Sequence, residues 1–207
     1  RGLGDVYKRQ LIGITGGVGA GKSQVLSCLA SRCRCRILLA DEVGNEVKLP
    51  GQPCYERLVE LLGKDVLAED GTIDRGRMAE KIFADDCLLS QVNGIIHPAV
   101  RVYILQEVEK ERSLGKVDFF FLEAALLIEE GYDRIVDELW YVYADEEVRR
   151  KRLKESRGYS DAKIDHIFHS QLPEEEFRRH CRRVIENNGD LQETCRQIDE
   201  VLAKLQE

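Results

Sequence analysis

Eight consecutive residues restrict this chain more than any other stretch: Gly16-Gly17-Val18-Gly19-Ala20-Gly21-Lys22-Ser23. They match the pattern Gly-x-x-x-x-Gly-Lys-Ser and follow the short apolar run Leu11–Thr15, which reads as a buried strand. A helical apolar pattern starts directly after them, so the motif sits in a strand–loop–helix setting. Glycines let the backbone curl until successive N–H groups point at one anion. The following helix adds the partial positive charge of its N-terminus. Such a loop holds the phosphates of a nucleoside triphosphate through Gly16, Gly19, Ala20 and Gly21. Lys22 reaches the β and γ phosphates and the Ser23 hydroxyl binds Mg²⁺. A glycine-rich turn with a capping serine would account for the glycines but not for the lysine among them.

The rest of the chain extends this unit. A helix is expected over Gly21–Ser31 with Val25, Leu26, Leu29 and Ala30 on its apolar face, then a second strand over Arg36–Ala40. From Asp41 to about Gly115 the pattern is polar and helical, broken at Pro50-Gly51, Pro53 and Glu69-Asp70-Gly71. Strands follow at Val117–Leu122 and Glu138–Tyr143. A charged helical stretch runs from Val148 to about Cys181, interrupted at Gly158 and Pro173, before a short strand at Arg183–Glu186 and a helix from near Asp190. Strands separated by helices predict an α/β fold, a three-layer parallel sheet. Residues 11–40, 116–147 and 182–207 then form the core. Residues 41–115, too long for a simple crossover, form a helical subdomain, and 148–181 a lid.

At 207 residues the chain suits one core with inserts, and 43% hydrophobic with 33% charged residues excludes a disordered or disulfide-scaffold class. The net charge of −7 argues against a general nucleic-acid binder. No apolar run is long enough to span a membrane, and no signal peptide is visible. The 7 cysteines include no CxxC pair, so reduced thiols and a cytoplasmic location are expected. The only methionine is Met78, and polar, basic residues 1–10 read as a remnant of expression or sequence assembly in place of a short native start.

Ligands of open α/β sheets gather at the carboxyl ends of the strands. Asp41 lies there after the second strand, where it could take the proton of an acceptor hydroxyl or simply cap a helix. Glu123, after the third strand, could hold Mg²⁺ through water or contact substrate. Residues 148–183 carry a local charge of +5 against −12 for the remainder. Arginines that close over a transferring phosphoryl group and expel water belong in such a segment. Arg152 and Arg157 are the candidates, most of the others forming a solvated face with i,i+4 pairs. On residues alone, a kinase for a nucleoside monophosphate or a sugar, or a non-kinase ATPase or switch protein, shares these features.

The ordered motifs resemble the dephospho-coenzyme A kinase family from Leu11 to about Leu191. The loop ITGGVGAGKS is similar to the family's, with Gln24, where threonine is more usual, joining the nucleotide-binding set. Ala40-Asp41 resembles the end of its Asp-Ala-Asp, with Leu39 in place of the first aspartate. Asp70–Arg75, Ile96-His97-Pro98, Leu126–Glu129, Gln171 and Ile185–Gly189 complete the series. The resemblance implies transfer of the ATP γ-phosphate to the ribose 3′-hydroxyl of dephospho-coenzyme A, the last step of coenzyme A synthesis. It implies Asp41 as base or acceptor-orienting residue, Arg75 and His97 as acceptor-site residues, and Asn187 near the adenine. A monomer or weak homo-oligomer is expected.

Overall fold

The structure, a computed structural model, describes residues 10–206; the expected remnant, residues 1–10, falls outside it except for Gln10. Five strands form one sheet: β1 (Leu11–Thr15), β2 (Cys35–Leu39), β3 (Phe119–Glu123), β4 (Glu138–Tyr143) and β5 (Arg183–Glu186). Their order is β2-β3-β1-β4-β5, and the β1–β3, β1–β4 and β4–β5 pairings are parallel. The order places β1 at the centre, and the chain leaves its carboxyl end directly into the phosphate loop. Every residue of β1 is buried, the signature of a strand covered on both faces. Phe121 and Trp140 flank it on one side of the sheet with ring centroids 5.6 Å apart.

The chain divides into two compact units, 39–110 and the remainder. The sheet unit carries α1 (Lys22–Arg32) and, further along the chain, α6 (Glu146–Arg157), α7 (Asp161–Ser170), α8 (Glu174–His180) and α9 (Leu191–Gln206). The breaks between α6, α7 and α8 fall at Gly158, whose φ of 62° ends α6, and at Pro173 ahead of α8. Residues 39–110 contain α2 (Ala40–Glu46), α3 (Pro53–Leu62), α4 (Arg75–Phe83) and most of α5 (Asp86–Leu114). Their own core includes Val47, Leu58, Leu62, Val66, Met78, Val92, Val100 and Ile104.

Two expectations change on α1. On α1 the buried positions are Val25, Leu26, Cys28 and Leu29, while Ala30 is exposed, because the i,i+3 row from Val25 runs through Cys28. Cys28 and Cys195 are not free thiols: a disulfide joins them across α1 and α9, Cα atoms 5.9 Å apart. They are 167 residues apart in sequence, so no spacing rule could pair them. His97 and Pro98 both lie inside the 29-residue α5. Proline there leaves the Gly94 carbonyl without its intrahelical partner. Among the described residues no helix is long and apolar enough to cross a membrane.

Candidate active site

The phosphate loop is tied down from three directions. Lys22 Nζ donates to the Gly16 carbonyl at 2.9 Å, folding the ammonium back over the loop. Burial, ahead of every charge, pulls its pKa below the ordinary lysine value. Glu123 opposes that shift, Arg149 and Arg157 add to it, and Glu129 opposes it. Glu123 at the end of β3 and Arg157 at the end of α6 therefore both act electrostatically on this lysine. Ser23 is exposed in the first turn of α1, with its hydroxyl at the helix's positive end.

Asn187 is only 1% exposed and spends both ends of its amide inside the protein. Its Nδ2 donates to the Ala20 carbonyl at 2.8 Å and to Gln24 Oε1 at 3.1 Å, and its Oδ1 accepts from Thr194 Oγ1 at 2.7 Å. Gly21, at φ 89°, is required here: a Cβ would lie 2.2 Å from Asn187 Nδ2. Arg152 serves the same loop, donating to the carbonyls of Gly19 (3.3 Å), Ala20 (3.2 Å) and Asn187 (2.6 Å). Arg157 is exposed and lies 5.8 Å from the Tyr159 ring centroid.

Arg149 was not singled out by the sequence, although it is as deeply placed as Arg152. Its Nε donates to the Val18 carbonyl at 3.0 Å and its Nη2 to Gln171 Oε1 at 2.7 Å. Nothing in the run Arg149-Arg150-Lys151-Arg152 marks which cations turn inward; only the packing of α6 does. Its neighbours behave as the solvated face expected. Arg150 pairs with Asp161 at 3.0 Å and with Asp165, and Lys154 pairs with Asp161 at 2.8 Å.

A second group lies in the other unit. Asp41 is exposed in the first turn of α2, a favourable end for a carboxylate, and does not cap the helix. The N-cap is Leu39, without any side-chain cap bond. Lys48, also missed by the sequence, is electrostatically linked to both Arg75 and Asp41. Burial lowers its pKa first, Arg75 adds to that and Asp41 opposes it. Burial, then the charge of Arg101, lowers the pKa of His97 in the same unit.

A parallel sheet whose central strand opens into such a loop, with arginines from a later helix pinned to it, defines a P-loop kinase. The dephospho-CoA kinase family model matches residues 10–193. The chain belongs to that family. It is 34% identical to the dephospho-CoA kinase of Carboxydothermus hydrogenoformans over 194 residues, covering 94% of this chain and 93% of that one. Identity to the Geobacter sulfurreducens dephospho-CoA kinase is 36% over 195 residues, 94% of this chain and 98% of the relative. Among solved structures, a protein of Thermus thermophilus aligns at TM-score 0.77 and 30% identity, over 95% of this chain and 97% of that one. Shikimate kinase of Acinetobacter baumannii shares the fold at TM-score 0.53 and 12% identity, over 97% of both chains.

Proposed function

We propose that the chain transfers the γ-phosphoryl group of ATP to the ribose 3′-hydroxyl of dephospho-coenzyme A, giving coenzyme A and ADP. The observation that carries this reading is the braced phosphate loop, with Lys22 folded over it, in a chain of the dephospho-CoA kinase family. In the reaction the acceptor oxygen attacks the γ-phosphorus and the bond to the β–γ bridging oxygen breaks. ADP leaves with that electron pair.

Each residue has a separate task. The amides of Gly19, Ala20 and Gly21 and the Lys22 ammonium hold the β and γ phosphates. Lys22 gives up its bond to the Gly16 carbonyl for a phosphate oxygen, and its partly desolvated charge is stronger there than in water. Arg152 and Asn187 act on the loop carbonyls and so keep the amides facing the phosphates. Arg157 adds positive charge beside Lys22. Asp41 orients the acceptor hydroxyl and receives its proton late in the transfer, with Arg75 and His97 on the acceptor side. Mg²⁺ fits the chemistry of the site, since the exposed Ser23 hydroxyl is a hard oxygen donor beside the loop. When bound, it neutralises charge on the β and γ phosphates. A cytoplasmic monomer or weak homo-oligomer completes the reading.

The test is ADP release from ATP and Mg²⁺ with and without dephospho-coenzyme A. Stimulation is expected from that acceptor and not from a nucleoside monophosphate or shikimate. Equal release with and without every acceptor overturns the proposal in favour of a hydrolase or switch.

A further inference from the structure

Gly17 is buried, yet it does not have the positive φ that explains Gly16, Gly19 and Gly21. A side chain here would instead displace a neighbour's. A Cβ at this position would lie 2.4 Å from Arg149 Nη2 and 2.5 Å from Arg149 Cζ. The guanidinium fills the space that the missing side chain leaves, and three contacts fix it there. Nε donates to the Val18 carbonyl at 3.0 Å, Nη2 donates to Gln171 Oε1 at 2.7 Å, and Cζ stands 4.2 Å from the centroid of the Phe168 ring. Gln171 Oε1 also accepts from the Val18 N–H at 3.3 Å. Both polar groups of Val18 are thus held by side chains from α6 and the end of α7, within one unit of the chain.

We infer that Arg149, with Gln171 and Phe168, is a positioning residue that latches the Val18 segment of the phosphate loop and sets the loop for ATP before ATP binds. Nε and Nη2 are committed to Val18 and Gln171, so the latch acts through the loop backbone. It therefore governs ATP affinity more than the phosphoryl-transfer step. A transition-state arginine would do the reverse. Gly17 belongs to the same device as the vacancy into which the guanidinium fits.

This inference rests on the kinase reading, and its test separates the two. ATP affinity of the full chain is measured by calorimetry without acceptor, and turnover with dephospho-coenzyme A is measured alongside. Absent wild-type turnover defeats the kinase reading alone. Arg149→Ala is expected to weaken ATP binding by about 10-fold, the order of one charge-assisted hydrogen bond, with kcat nearly unchanged. Added guanidinium ion should restore affinity in Arg149→Ala but not alter the wild type, a readout that mere structural damage would not give. Gly17→Ala displaces the same group, so the double variant should bind ATP within about 2-fold of the weaker single variant. The rescue arm stands even if Gly17→Ala does not fold. Two results overturn the latch: a fall in kcat of Arg149→Ala with ATP affinity intact, or losses from the two substitutions that multiply.

Discussion

Asn187→Ala removes one side chain and three hydrogen bonds: to the Ala20 carbonyl, to Gln24 Oε1 and from Thr194 Oγ1. Thr194 Oγ1 keeps its 3.3 Å bond to the Asp190 carbonyl, so it is not orphaned. The Ala20 carbonyl keeps Arg152 at 3.2 Å. At about 0.5–1.5 kcal/mol for each net hydrogen bond, the loss comes to about 2–4 kcal/mol. A domain of this size loses about 2–4 °C of melting temperature per kcal/mol, so the variant should melt roughly 4–16 °C lower. Differential scanning calorimetry reads that shift directly. Because the lost bonds hold a carbonyl of the phosphate loop, KM for ATP should rise more than kcat falls. A melting temperature within about 2 °C of the parent would refute the claim that this amide braces the loop.

Asp41→Asn should lower kcat by about 10²–10⁴-fold, the range of general acid–base catalysis, with ATP affinity retained; near-parental kcat ends the assignment. The lowered pKa of Lys22 gives a signed pH effect. Between that value and the ordinary lysine pKa of about 10.4, the unfolded chain holds a proton that the folded chain has released. Stability without ligand should therefore gain from this group as pH rises through the window, while ATP affinity falls as the ammonium is lost. Lys22→Met should remove both slopes, as thermal melts and ATP titrations across alkaline pH would show. Reducing the Cys28–Cys195 bond, which spans 167 residues, should lower stability by about 2–4 kcal/mol. Identical melting curves with and without reductant mean the bond is not there to reduce.

What the sequence disclosed and what it concealed divide by range. β4 was legible to the residue because a buried parallel strand is a short apolar run with sharp polar ends, and β5, an edge strand with only Ile185 buried, because its two apolar residues stand between Arg183 and Glu186. Gly158 and Pro173 marked the helix breaks because one frees and the other restricts a local dihedral. The phosphate loop was legible because its chemistry is packed into consecutive positions. Arg149 was not, because its selection among adjacent cations depends on the facing loop. Lys48 stands alone in a polar segment, and its link to Asp41 and Arg75 exists only after α2 and α4 fold. The Cys28–Cys195 pairing likewise needs α1 and α9 side by side.

The central claim is that the acceptor is the ribose 3′-hydroxyl of dephospho-coenzyme A. It is tested most directly with ATP carrying ¹⁸O in its γ-phosphoryl group and mass spectrometry of the products. Labelled coenzyme A with the phosphoryl group on the 3′-oxygen is expected, and no labelled product from 3′-deoxy-dephospho-coenzyme A. Label confined to inorganic phosphate, or product formed equally from the 3′-deoxy compound, would contradict it.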